Sequence, residues 1–137
     1  MLKATFSSFK HPNYRLWFMG QLVSLIGTWM QNVAVPWLVY HMTGSPFFLG
    51  LVSFTSAVPM LTLTLWAGVI ADRIDRRRVL IATQTTMMLL AFLLAAAFYS
   101  NILQWWHILF FSAASGIAQA FDAPARQALV ADLVPRN

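Results

Sequence analysis

The chain has 137 residues, 59% of them hydrophobic and only 9% charged, against roughly 25% charged in soluble domains. A globule of this length cannot hide that much apolar surface, and a mean hydropathy of +0.65 points to lipid as the solvent. The net charge of +5 comes from few, segregated basic residues, too sparse to track a phosphate backbone, so no nucleic-acid partner is expected.

The chain opens with Lys3, Lys10 and Arg15, followed by an uncharged run over Leu16–Tyr40. That run is too long for a cleavable signal, and no small-residue cleavage site follows it, so it is expected to stay as a spanning anchor. A helix rises about 1.5 Å per residue, so roughly 20 residues cross a ~30 Å hydrocarbon layer. Gln21, Thr28 and Asn32 fall near one azimuth of this first helix, flanked by Ser24 and Gln31. Two readings fit that stripe: hydrogen-bonded glue between helices, or the lining of a polar cavity. Gly20 with Ser24 reads as a small-residue packing seam.

Thr43, Gly44, Ser45 and Pro46 then form a turn signal, with Ser45 as N-cap and Pro46 at the first helical position. The second run covers Phe47–Ala71, the third Val79–Tyr99 and the fourth Leu103–Phe121. Pro36 and Pro59 loosen the first two helices. Asn101, with Gln104 three residues on, reads as the cap of the fourth. Trp37, Trp105 and Trp106 sit near one interface and Trp17 near the other, while Trp29 and Trp66 lie deeper, where packing is expected. Ser112, Gly116 and Ala120 recur four apart as a second small-residue seam. Asp122 to Pro124 reads as a new cap and first turn, opening a short surface helix over 123–133. The predicted fold is an all-α membrane protein with four transmembrane helices at about 16–40, 47–71, 79–99 and 103–121.

All thirteen charges fall on one side of that arrangement. Asp72, Arg73, Asp75, Arg76, Arg77 and Arg78 join the second and third runs. Asp122, Arg126, Asp132 and Arg136 follow the fourth, and the two opposite connections carry no formal charge. Lys and Arg in short loops stay cytoplasmic during insertion. The pattern therefore predicts a multi-pass protein of the cell inner membrane with both termini in the cytoplasm, its basic residues beside anionic lipid headgroups.

The most specific segment is Gly68, Ala71, Asp72, Arg73, Asp75, Arg76, Arg77 and Leu80. By its residues alone, Gly68 offers close backbone approach near a helix end, Asp72 sits where that helix meets water, and the basic cluster sets topology. The segment closely resembles the signature between spans two and three of the major facilitator superfamily, G-x-L-A-D-R-x-G-R-K-x-x-L. Asp75 stands for the second glycine and Arg77 for the lysine, a form similar to that of the branch around the enterobactin exporter. The resemblance continues in Asn13, Tyr14 and Arg15, in the turn at Thr43–Pro46, and in Pro124–Leu129 with Asp132–Pro135.

The resemblance implies a twelve-helix transporter in two halves, of which this chain supplies the first three-helix repeat and the fourth span. It implies efflux of a small molecule such as a siderophore, drug or metabolite, and an intramolecular partner in the C-terminal helices. It also implies a gating role for Gly68, Asp72, Arg73, Arg76, Arg77, Asp122 and Arg126, with Asp72 facing a helix of the second half and Arg76 paired with Asp122. Cavity lining by Gln21, Thr28, Gln31 and Asn32 follows from span one lining the substrate path in the family. It does not extend to the proton-coupling motif R-x-x-Q-G of span four, where Ser112 and Ser115 stand for Arg and Gln. The spans themselves are read as free of Asp, Glu, Lys and Arg.

His11, His41 and His107 are isolated, without ligand spacing, so no metal site is expected. Neither a nucleophile–base pair nor a phosphate loop occurs, and neither a cofactor nor an enzymatic activity is expected. Two other readings stay open: a four-span transporter of the small multidrug resistance type acting as a dimer, which needs a membrane-embedded Glu that this chain lacks, and a non-transporting membrane protein or gene remnant.

Overall fold

The computed structural model describes residues 10–133; Lys3, Arg136 and the stretch 134–137 lie outside them. Four helices follow one another: α1 (Pro12–Thr43), α2 (Pro46–Arg73), α3 (Arg76–Tyr99) and α4 (Trp105–Leu133). Two of the three connections are only two residues long. Gly44 closes α1 at φ 65°, a conformation glycine adopts without penalty, and its N–H donates to the Tyr40 carbonyl at 2.7 Å. Ser45 then caps α2, its hydroxyl accepting from the Phe47 N–H at 3.3 Å, with Pro46 in the first turn. At the opposite end Asp75 caps α3 by accepting from the Arg77 N–H at 3.1 Å. That contact gives a local reason for an acid where the superfamily signature has glycine.

Helix α4 is the hub. It packs most extensively on α2, then on α3, and touches α1 more lightly. It comes close to α2 at Gly116, where an added Cβ would lie 2.2 Å from the Ser56 carbonyl oxygen. Ser112 and Ala120, four residues to either side, are buried on the same helix, so the expected small-residue seam joins α4 to α2. The apolar core gathers toward the uncharged end, where Val35, Val39 and Val52 meet Leu103, Ile108 and Phe111. Toward the charged end the buried residues are smaller, Ala67, Ala71, Ala118 and Ala125 among them, and polar contacts take over.

Helices α1, α2 and α3 are long and apolar enough to cross a membrane. Helix α4 is as long, 29 residues, but is not one of them; it carries Ser112, Ser115 and Asp122, all buried. A helix covered by protein has less need of an apolar surface than one facing lipid.

Several expectations change. No break occurs at Asp122–Pro124: α4 runs through Pro124 to Leu133, so there is no separate short helix over 123–133. The Asp122 carboxylate is held by side chains of α3 and cannot serve as a cap, and surrounding helices let a membrane helix tolerate proline. Asn101 does not cap α4; it occupies the left-handed region at φ 55° in the turn after α3. The start of α4 is stabilised by His107, whose Nδ1 accepts from the Gln104 N–H at 2.9 Å. This is the reach-back contact that Glu or Gln makes in a capping box. Trp29 and Trp66 are 64% and 69% exposed, so among the described residues they face outward and are not part of the core. Gly20 and Gly68 likewise have open space where a Cβ would stand; Ala67 and Ala71 make the close contacts near the end of α2.

Candidate functional site at the charged end of the bundle

The sequence sets three polar side chains on α3 and α4 at the same level. Thr83 and Gln84 lie seven and eight residues beyond Arg76, and therefore about two turns, ~11 Å, inside the bundle from the start of α3. Facing them on α4 is Asp122, only 3% exposed. Its Oδ1 accepts from Thr83 Oγ1 at 2.8 Å and from Gln84 Nε2 at 3.0 Å, while its Oδ2 pairs with the Arg126 guanidinium one turn on. Helix α1 closes the network. With its amide oxygen turned toward the guanidinium, the orientation that satisfies both groups, Gln21 accepts from Arg126 at 2.8 and 3.2 Å. Ser24 on the same helix donates to Gln84 Oε1.

A buried carboxylate is tolerable only when its lone pairs are matched, and here donors from two helices converge on one. Asp122 and Arg126 follow the predicted end of the fourth span at 121, so the spans as predicted carry no charge, yet the pair is enclosed by the bundle, with Asp122 buried. Sequence reading missed Thr83, Gln84 and Ser24 as its partners. A signal was present, since Thr83 and Gln84 interrupt an apolar run two turns above the basic cluster.

Pairing weakens outward. Arg76 bonds Asp132 and reaches the Ala128 carbonyl at 3.4 Å, with side chains 33% and 58% exposed. The expected Arg76–Asp122 pair does not form, because the uninterrupted α4 carries Asp132 to the start of α3 and gives Asp122 a partner on its own helix. Arg78 meets Asp75 at 3.8 Å on the surface. Asp72 and Arg73 are exposed on the last turn of α2, and their charged groups have no hydrogen bond or ion pair among the described residues.

The polar stripe of α1 divides between two places. Gln21 and Ser24 belong to the network and line a cavity of about 630 Å³ between α1, α3 and α4. Thr28, Gln31 and Asn32 line another of about 330 Å³ facing Ser53 and Ser56 of α2 and Ser112, Ser115 and Gln119 of α4. Thr28 also bonds back to the Ser24 carbonyl at 3.0 Å. The Ser115 hydroxyl is buried with no partner among the described residues.

Long apolar helices, an uncharged loop end, and cavities between helices beside a buried Asp–Arg pair are the features of a multi-pass membrane protein. The chain belongs to the transmembrane secretion effector family of major facilitator transporters, whose family model matches residues 3–137. It is 31% identical over 120 residues to the staphyloferrin A transporter of Staphylococcus aureus, covering 87% of this chain and 30% of that protein. It is also 31% identical over 71 residues to the enterobactin exporter EntS of Shigella boydii and of Citrobacter koseri, covering 52% of this chain and 17% of each. The chain thus spans less than a third of the length of the curated relatives it matches. No solved structure gives a significant match.

Proposed function

We propose that this chain forms the first four helices of a major facilitator exporter of small molecules, siderophores foremost, in the cytoplasmic membrane, with its charged end and both termini in the cytoplasm. Family membership and the two siderophore-handling relatives support this reading, and transport of this kind involves no chemical step on the substrate. The remaining eight helices are its intramolecular partner. Gly68, Asp72, Arg73, Arg76, Arg77, Asp122 and Arg126 form the cytoplasmic gate, with Arg76 acting through Asp132 and Arg126 through Asp122. Thr28, Gln31 and Asn32 contribute one wall of the substrate path.

The observation that carries the gate is the state of the acids. Among the described residues Asp75 is held by Arg78, Asp122 by Arg126 and Asp132 by Arg76, while the Asp72 carboxylate has no partner. A gate residue whose counterpart lies in another part of the transporter would be left in this way. The test is Asp72→Asn in the full-length transporter, with efflux and surface expression measured together. Efflux should fall several-fold at normal expression; unchanged efflux refutes the gate.

A further inference from the structure

At the uncharged end of the bundle, α4 begins with a reciprocal pair of bonds. Gln104 stands directly before the helix and His107 three residues on. The His107 N–H donates to the Gln104 carbonyl at 3.1 Å, and the Gln104 N–H donates back to His107 Nδ1 at 2.9 Å. Where a capping box has Glu or Gln, this chain has a residue type that titrates between about pH 5 and 8. Both partners lie within one turn of chain, so the contact is complete without any helix beyond these four.

The bond fixes where the proton sits. Nδ1 accepts only when it carries no hydrogen, so the single proton of the neutral ring is on Nε2. A second proton would set an N–H against the N–H of Gln104 and place a positive charge at the positive end of the helix dipole. The imidazolium has another contact to fall back on. The Trp106 ring lies with its centroid 3.8 Å away, and an indole face attracts a cation. No carboxylate competes for it, since residues 16–71 and 79–121 contain no Asp, Glu, Lys or Arg. The other titratable groups at this end are Tyr40 and His41 of α1 and Tyr99 of α3, while α2 brings none. None of the three is bonded to His107 among the described residues; His41 stacks on Trp37 instead.

The cap is tied to the packing on both sides of it. Leu103, just before, and Ile108, just after, are buried in the cluster that joins α4 to α1 and α2. From this we infer that His107 is a protonation-sensitive latch on the first turn of α4, closed while the ring is neutral and released as the pH falls. Release frees the Gln104 N–H and loosens the turn that holds Leu103 and Ile108 in the core. On the orientation proposed above the latch faces the outside of the cell; its operation rests on the cap alone and not on the transport reading.

The 137-residue chain in detergent micelles tests this by nuclear magnetic resonance. Proton–nitrogen correlations of the imidazoles should show His107 as the Nε2–H tautomer at about pH 7.5, where histidine is ordinarily neutral. Amide exchange then reads the latch. The protection factor of Gln104, which is corrected for the intrinsic pH dependence of exchange, should fall roughly five-fold between about pH 7.5 and about pH 5, the effect of losing one cap. His107→Gln restores an ordinary capping box and does not titrate, so its protection should stay constant over that range. His107→Ala should be poorly protected throughout, and His41→Gln should respond as the parent does. Circular dichroism accompanies each variant. An Nδ1–H tautomer in the parent overturns the inference, as does protection that is unchanged by pH; neither result depends on a variant. The same fall in His107→Gln overturns it as well.

Discussion

Replacing Gly116 by alanine is the sharpest mechanical test of this bundle. The new Cβ would stand 2.2 Å from the Ser56 carbonyl oxygen, 3.0 Å from its carbonyl carbon and 3.1 Å from its Cα, where ordinary contact begins at 3.4 Å. All three atoms are backbone, so no rotamer change relieves the clash, and α2 and α4 must part by about 1.2 Å or slide. Overpacking of this kind costs about 1–3 kcal/mol, which lowers the folded-to-unfolded ratio by roughly 5- to 150-fold. Because α4 holds its most extensive contacts with α2, the loss falls on the principal interface. Denaturation of the purified chain in detergent micelles, followed by helicity and by the lifetime of the compact form, measures it. Gly68→Ala is the control: nothing lies within 4 Å of its Cβ position, and alanine favours a helix by up to about 1 kcal/mol over glycine. The reasoning fails if Gly116→Ala is as stable as the parent, or if the two variants lose stability equally.

Two further outcomes follow from the ion pairs. Asp122→Ala leaves Arg126 half-buried without its counterion and should destabilise by about 3–5 kcal/mol. Adding Arg126→Met should recover part of that loss, and a double variant no better than the single one, in the same denaturation assay, would contradict the pairing. Asp132→Ala, by contrast, removes a partly exposed pair and should cost about 1 kcal/mol or less; a larger loss would mean that Arg76 and Asp132 are tied down more firmly than their exposure indicates.

The helices were legible in the sequence, and so were the turn glycine, the Ser45 cap and Pro46, because uncharged runs of about 20 residues between turn signals have few alternatives. The helix faces were not. A helix apolar all round carries no amphipathic stripe to say which side meets protein, so Trp29 and Trp66 were expected inside and face outward. The end of the fourth span was hidden for a different reason. Aspartate two residues before proline is the pattern of a helix start, and only the cross-helix donors Thr83 and Gln84 reveal that Asp122 is already engaged. Once α4 is read as unbroken, Asp132 reaches Arg76, a pairing that no local spacing could disclose. The candidate gate was legible as a set of charges near one end; its partners depended on the path of α4.

The unbroken α4 has one more consequence. Proline has no N–H to give the carbonyl four residues back, so Pro124 takes one rung from the ladder at Ala120. Asp122 and Arg126 stand two residues to either side of it, about 200° round the helix, so their bond clamps the opposite side of the turn that has lost the rung. The ion pair therefore acts as a splint across the weakest turn of the hub helix. Ser24, Gln84 and Gln21 brace the splint from the neighbouring helices, so the stiffness of α4 at that turn depends on whether α1 and α3 stay in place.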